Sequence, residues 1–153
     1  MIYNPNFKDD LLNYLKDVPF IKNDLKKNEE KITTKIIKHL KEKHRIKVAK
    51  GTAEGLLYFA PDIVYDEDKV GVEIKLAKKL LDKKNGNQAI QRLFGQTYYY
   101  YNRRKSSYKY FYAGNGLLIL VIGELKFESD ERIKEIKKVV EKIGASFKYM
   151  TVK

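Results

Sequence analysis

Cysteine and tryptophan are absent from the 153 residues, and proline occurs only three times. Without cysteine there is neither a disulfide framework nor a thiolate metal site. Long hydrophobic runs are missing too. The longest, Gly116 to Gly123, falls far short of the ~20 residues a helix needs to cross a bilayer, so no membrane partner is expected. The opening Met1-Ile2-Tyr3-Asn4-Pro5 has no basic stretch followed by an apolar one, so no signal peptide is read there. These absences together set the expectation of an intracellular, cytoplasmic protein. No repeat or low-complexity linker divides the chain, and its length suits one domain with a real core.

What is abundant is positive charge. Thirty-two Lys and Arg stand against 20 Asp and Glu, a formal +12, with a pI near 9.6. A composition rich in Lys, Glu, Ile and Tyr fits heat adaptation, where surface ion pairs of both signs abound. Heat adaptation does not account for the excess of one sign. Such a field draws polyanions by counterion release, so nucleic acid is the expected partner. With 43% hydrophobic residues the chain is expected to fold.

Hydrophobic spacing then divides the chain into elements. Pro5 and Pro19 bracket a helical segment, Phe7 to Leu15. Ile32, Ile36, Ile37 and Leu40 predict a helix over Asn23 to Lys43, with Asn23 or Asp24 as its cap. Arg45 to Lys50 alternates like a half-buried strand, and Gly51 to Gly55 reads as a turn. Leu56 to Tyr65 and Lys69 to Leu76 read as strands around the acidic turn at Asp66, Glu67 and Asp68. A helix follows from Gln88 to Arg103, then a strand from Leu117 to Ile122. Ser129 or Asp130 caps a last helix carrying Ile133, Ile136, Val139, Val140 and Ile143; Gly144 ends it and Phe147 to Val152 closes as a strand. The expectation is an α/β fold, a mixed sheet flanked by helices. It divides into an N-terminal helical segment (1–22), a core (23–122) and a C-terminal helix and strand (123–153).

The third strand carries the chemistry. In Val70-Gly71-Val72-Glu73-Ile74-Lys75-Leu76 alternate side chains face opposite ways. Val72, Ile74 and Leu76 are expected in a core. Glu73 and Lys75 share the other face with Gly71. Pro61-Asp62 lies on the preceding strand, and the turn between lets the two strands pair antiparallel, bringing Asp62 toward Glu73 or Lys75. Two carboxylates at one point suit a hard cation such as Mg²⁺, bound through oxygen with positions left for water and phosphate. The lysine can then orient or stabilise an attacking hydroxide.

Pro61-Asp62 followed by Glu73-Ile74-Lys75, with the α-βββ-α-β order over about Asn23 to Ile122, resembles the PD-(D/E)xK nuclease superfamily and its restriction-endonuclease-like fold. The resemblance implies a metal-dependent deoxyribonuclease. Asp62, Glu73 and the carbonyl of Ile74 would ligate Mg²⁺ or Mn²⁺, and Lys75 would serve the attacking water. It further implies a glutamate on the first core helix, where Glu29 and Glu30 compete. Glu29 is preferred because it shares a helix face with Ile32, Ile36 and Leu40. A Gln with a Tyr four residues later matches Gln96 and Tyr100, which share a helix face; Gln88 and Gln91 are earlier glutamines. Many members act as dimers on double-stranded DNA, and archaeal Holliday junction resolvases share this size and charge. The competing readings are a nucleic-acid-binding protein of nuclease-like fold that cuts nothing, and RNA as the substrate.

An acidic-x-Lys triplet alone carries no weight in so lysine-rich a chain. Glu29-Glu30-Lys31, Glu67-Asp68-Lys69, Glu124-Leu125-Lys126 and Glu135-Ile136-Lys137 match as well. Only the third ends a strand, and no Pro-Asp precedes it on a paired one. As an isolated pair, Glu73 and Lys75 would be a salt bridge worth about 0–1 kcal/mol. Glu54 is a further candidate acid. His39 and His44 lie five apart, without the (i, i+4) spacing of a helical zinc pair, and a solvated or helix-end role is expected. Tyr98 to Tyr101, Tyr108, Tyr110, Phe111 and Tyr112 interleave with Arg103, Arg104, Lys105 and Lys109. About half of those rings are assigned to the core, and Arg103, Arg104 and Lys105 to phosphate contacts.

Overall fold

The computed structural model describes residues 7–20, 22–26, 28–51, 61–65, 70–102 and 116–152. Helix α1 (Phe7–Leu15) buries Leu11 and Leu15, one turn apart. A 3₁₀ helix (Lys22–Lys26) precedes α2 (Glu29–His44). The helix expected from Asn23 therefore begins six residues later. Asn28 provides the cap, accepting from the Lys31 N–H at 2.9 Å. Asp24 is instead buried against the Lys35 ammonium at 2.8 Å. A tertiary ion pair took the residue that a local cap would have used.

Helix α2 ends at Arg45, whose φ of 55° is left-handed. Reversing the chain there uses residues expected to be strand, so β1 is only Ala49–Lys50. It pairs antiparallel with β2 (Ile63–Tyr65), which pairs antiparallel with β3 (Val70–Leu76). The start of the expected second strand, 56–60, lies outside the described residues. Chain reversal after β3 uses a short helix, α3 (Ala77–Leu80), that the periodicity does not predict. Asp82 then accepts from the Asn85 N–H at 2.7 Å, and α4 (Gly86–Asn102) follows. A Cβ at Gly86 would lie 2.7 Å from the Leu80 carbonyl oxygen, so the approach of α3 to α4 requires glycine.

Strand β4 (Leu117–Gly123) is buried throughout and runs parallel to β3. A second unforeseen short helix, α5 (Leu125–Glu128), leads to α6 (Glu131–Ile143), capped by Asp130 and closed at Gly144. Strand β5 (Ser146–Thr151) pairs parallel with β4. The result is an α/β fold with a five-stranded mixed sheet in the order β1-β2-β3-β4-β5. Two apolar clusters sandwich it. Leu11, Ile32, Ile36 and Leu40 from α1 and α2 pack with Val72, Ile74 and Leu76 on one face. Leu80, Leu93, Ile133, Ile136 and Val140 pack with Ile119 and Val121 on the other. Each fully buried Ile or Leu contributes roughly 1.5–3 kcal/mol. The alternation that sends Val72, Ile74 and Leu76 into one cluster leaves Glu73 and Lys75 facing the other.

Candidate active site

Register brings the first two acids together. Ile63 pairs with Val72 and Val64 with Gly71, so one further step along the antiparallel ladder sets Asp62 opposite Glu73. Pro61 precedes, and among the described residues the paired ladder ends at Ile63. The Ile74 N–H, left without a strand partner, donates to Asp62 Oδ2 at 2.6 Å. The Gly51 N–H donates to the Asp62 carbonyl at 3.2 Å and holds the backbone from the other side. The N–H and C=O of one strand residue point to the same neighbour, so the Ile74 carbonyl also faces the Asp62 side.

A chain of opposite charges leads outward from Glu73. Lys75 Nζ lies 3.2 Å from Glu73 Oε1 and 3.9 Å from Glu29 Oε2. Lys79 Nζ lies 3.4 Å from Glu29 Oε1. Two carboxylates, of Glu73 and Glu29, thus meet the ammonium groups of Lys75 and Lys79, and Asp62 lies within the electrostatic reach of Lys75. Glu30 turns away to an exposed pairing with Lys50 at 3.6 Å. The first turn of α2 therefore puts Glu29, the preferred candidate of the two, beside Lys75.

Burial sets the electrostatics. Glu73 is only 3% exposed. Burial first, then the Asp62 charge, push its carboxyl up to about 8 against the pull of Lys75. Asp62 is pushed up to about 6, again by burial and with the Glu29 charge adding, while the Ile74 N–H and Lys75 pull it down. Glu73 Oε2 is buried without a hydrogen-bond partner among the described residues, and so is Gln96 Oε1. A buried oxygen with no donor costs about 1–3 kcal/mol. This donor set, all carboxylate oxygen with one left unpaired, fits a hard divalent cation.

Beside these groups opens a cavity of about 280 Å³ lined by Glu29, Lys75, Lys79, Asn85, Gln88 and Arg92 among others. Gln88, Arg92 and Gln96 recur every four residues and so share one stripe of α4. Tyr100 continues that spacing but is 0% exposed, inside the cluster of Leu93 and edge-on to Tyr99. It is a core residue, because the stripe winds into the sheet interface at this end of the helix. Comparison with protein-family models, with curated proteins and with solved structures returns no match. The site stands on its own geometry.

The rival triplet is a surface pair. Helix α5 starts at Leu125, and Glu124 and Lys126 meet at 3.5 Å with both side chains exposed. Tyr98 is 63% exposed, a ring on the outer face of α4. Arg103, Arg104, Lys105, Tyr108, Lys109, Tyr110, Phe111 and Tyr112 lie outside the described residues, as do Glu54 and the turn at Asp66, Glu67 and Asp68. Sequence reasoning missed Lys79 and Arg92. The spacing from Gln88 was a usable signal for Arg92. Lys79 had none, because it depends on the unforeseen turn of α3.

Proposed function

We propose that this chain is a metal-dependent nuclease of the PD-(D/E)xK kind, hydrolysing phosphodiester bonds of DNA. The observation that carries the reading is the juxtaposition on β2 and β3. A buried carboxylate with an unpartnered oxygen, Glu73, and a half-buried one, Asp62, stand opposite each other with a lysine ammonium alongside. Burying like charges together raises both pKa values at a cost in stability. A role in binding a cation offsets that cost.

Asp62, Glu73 and the Ile74 carbonyl would hold Mg²⁺ or Mn²⁺. When bound, the ion supplies Lewis-acid stabilisation of the phosphate and makes water more acidic. The Ile74 N–H fixes the rotamer of Asp62, leaving Oδ1 for ligation. Lys75, held between Glu73 and Glu29, orients the water that attacks in line and stabilises its developing negative charge. Glu29 positions Lys75 and Lys79 as a pair. Lys79 and Arg92, lining the cavity, meet the phosphate oxygens, and Gln96 completes the rim from α4. The formal +12 of the chain draws the polyanion in. The family resemblance would make double-stranded DNA the substrate and a homodimer the cutting unit, with resolution of four-way junctions the alternative activity.

The test incubates the protein with labelled linear, circular, single-stranded and four-way-junction DNA, and with RNA, in Mg²⁺, Mn²⁺ or EDTA. Cleavage of DNA that requires the metal and disappears in Glu73→Ala is the expected result. Cutting of the circle separates internal cleavage from attack at ends. Binding of every substrate with cleavage of none would overturn the proposal in favour of a binding protein.

A further inference from the structure

The chain contains only two histidines, and both reach one carboxylate oxygen. His39 Nε2 lies 2.8 Å and His44 Nε2 3.1 Å from Asp17 Oδ1. The three ligand atoms all fall within 4.8 Å of one another. The helix spacing argues against this pairing, since residues five apart do not share a face. At the end of α2 a third residue from another segment sits between them and closes the gap. Asp17 belongs to the turn after α1, where the Val18 N–H donates to the Leu15 carbonyl at 3.2 Å. Leu15, Val18 and Phe20 are anchored in the first apolar cluster. The carboxylate is therefore carried on a fixed piece of backbone.

The surroundings resemble a supported ligand set. The Tyr14 ring packs on His44 with centroids 4.5 Å apart, and the two imidazoles meet edge to face at 5.2 Å. Lys43 Nζ takes the other Asp17 oxygen, Oδ2, at 2.8 Å. It keeps the carboxylate ionised and fixes its orientation, as an outer hydrogen-bond partner of a metal ligand does. Its own charge is solvent-exposed and screened. Four-coordinate zinc separates its ligand atoms by roughly 3.3–3.5 Å, given metal–ligand lengths of about 2.0–2.2 Å. The His44 contact at 3.1 Å needs to open by a few tenths of an ångström and the His39 contact at 2.8 Å by roughly half an ångström or slightly more.

We infer that Asp17, His39 and His44 form a second metal site, which takes a borderline divalent cation of the Zn²⁺ and Co²⁺ class and latches the turn after α1 to the end of α2. Two imidazole nitrogens and one carboxylate select such ions over Mg²⁺, which prefers all-oxygen ligands. Asp17 is 39% exposed, so the fourth coordination position opens to water. The latch closes a segment running from Asp17 to His44 and needs nothing from the carboxylates on the sheet.

The experiment uses the full chain without a histidine tag, titrated with Co²⁺ in excess Mg²⁺ and followed by visible absorption. Wild type is expected to bind one Co²⁺ with a tetrahedral-type spectrum that Zn²⁺ removes. The Glu73→Gln variant should bind it equally, which separates this site from the proposed active site. The His39→Gln/His44→Gln double variant should lose at least about tenfold in affinity. Zn²⁺ at a hundred times its Kd should raise the wild-type melting temperature by roughly 5–10 °C and leave the double variant unmoved. Because there are two imidazoles only, their NMR signals report directly on unmutated protein, and both should shift with Zn²⁺. Unshifted imidazole signals, or Co²⁺ binding that the double variant retains, would overturn the inference.

Discussion

Asp17 and Glu73 each have a lysine ammonium at close range, 2.8 and 3.2 Å away, yet their acidities move in opposite directions. Hydrogen bonds from Lys43, then His39, hold Asp17 well below the usual carboxylate range. Glu73 is pushed up to about 8. The difference is water. Asp17 keeps its solvation and adds donors to it. Glu73 gives up solvation, gains one donor, and faces a second carboxylate. A neighbouring cation decides the acidity only where desolvation does not outweigh it. The solvated cluster around Asp17 stabilises the fold with or without a metal, while the buried carboxylate of Glu73 costs stability until a cation offsets it.

The largest effect that would break this comparison is on cleavage. Glu73→Gln keeps the shape but removes the anion, and the rate should fall by roughly a hundred- to ten-thousandfold in a single-turnover assay. A variant within threefold of wild type would make the buried acid a mere structural liability. Lys75→Met should cost about a hundredfold. It should also move the rising limb of the pH–rate profile to higher pH, because Glu73 loses the cation that pulls its pKa down. An unmoved profile would argue that Lys75 acts on the substrate alone.

Stability in EDTA should show opposite slopes for the two acids. The folded Glu73 keeps a proton that the unfolded chain, with a value near 4.5, has already released. Stability therefore falls as pH rises from 4.5 through about 8. Glu73→Gln should be more stable than wild type by roughly 1–3 kcal/mol at pH 8.5 and equal to it near pH 4. Asp17 behaves the other way. Its folded value lies below the ordinary 3.8, so its contribution is present above that pH and is lost as pH falls through the folded value. Asp17→Asn should melt roughly a degree or two below wild type at pH 6 and converge with it in strong acid. Denaturation of the three proteins from strong acid to pH 9 checks both slopes. The smallest effect is the control: Glu124→Gln, in an exposed pair, should change stability by less than about 0.5 kcal/mol.

Strand β3 was legible because its alternation is strict, and Glu73 and Lys75 share a face for that reason alone. Helix α6 was legible through its stripe and through Asp130 and Gly144 at its ends. The start of α2 was not, since Asn23, Asp24 and Asn28 are all good caps. The choice among them turned on Lys35 reaching Asp24 across the fold. Helices α3 and α5, four residues each, are too short to carry a period. Tyr100 shows the limit of spacing. It lies on the predicted stripe of α4 but is buried in the core, because a helix face does not keep one environment along its length.

By itself, the sequence determined which residues alternate, which cap, and how much positive charge the chain carries. These follow from sterics and hydrogen bonds within a few residues, and from simple summation. Only the tertiary structure decided that Asp62 stands opposite Glu73, that Glu29 rather than Glu30 meets Lys75, and that both histidines converge on Asp17. Those pairings join residues distant in the chain. They are set by how two apolar faces of one sheet are covered, and a buried carboxylate has no altered acidity until that packing has removed its water.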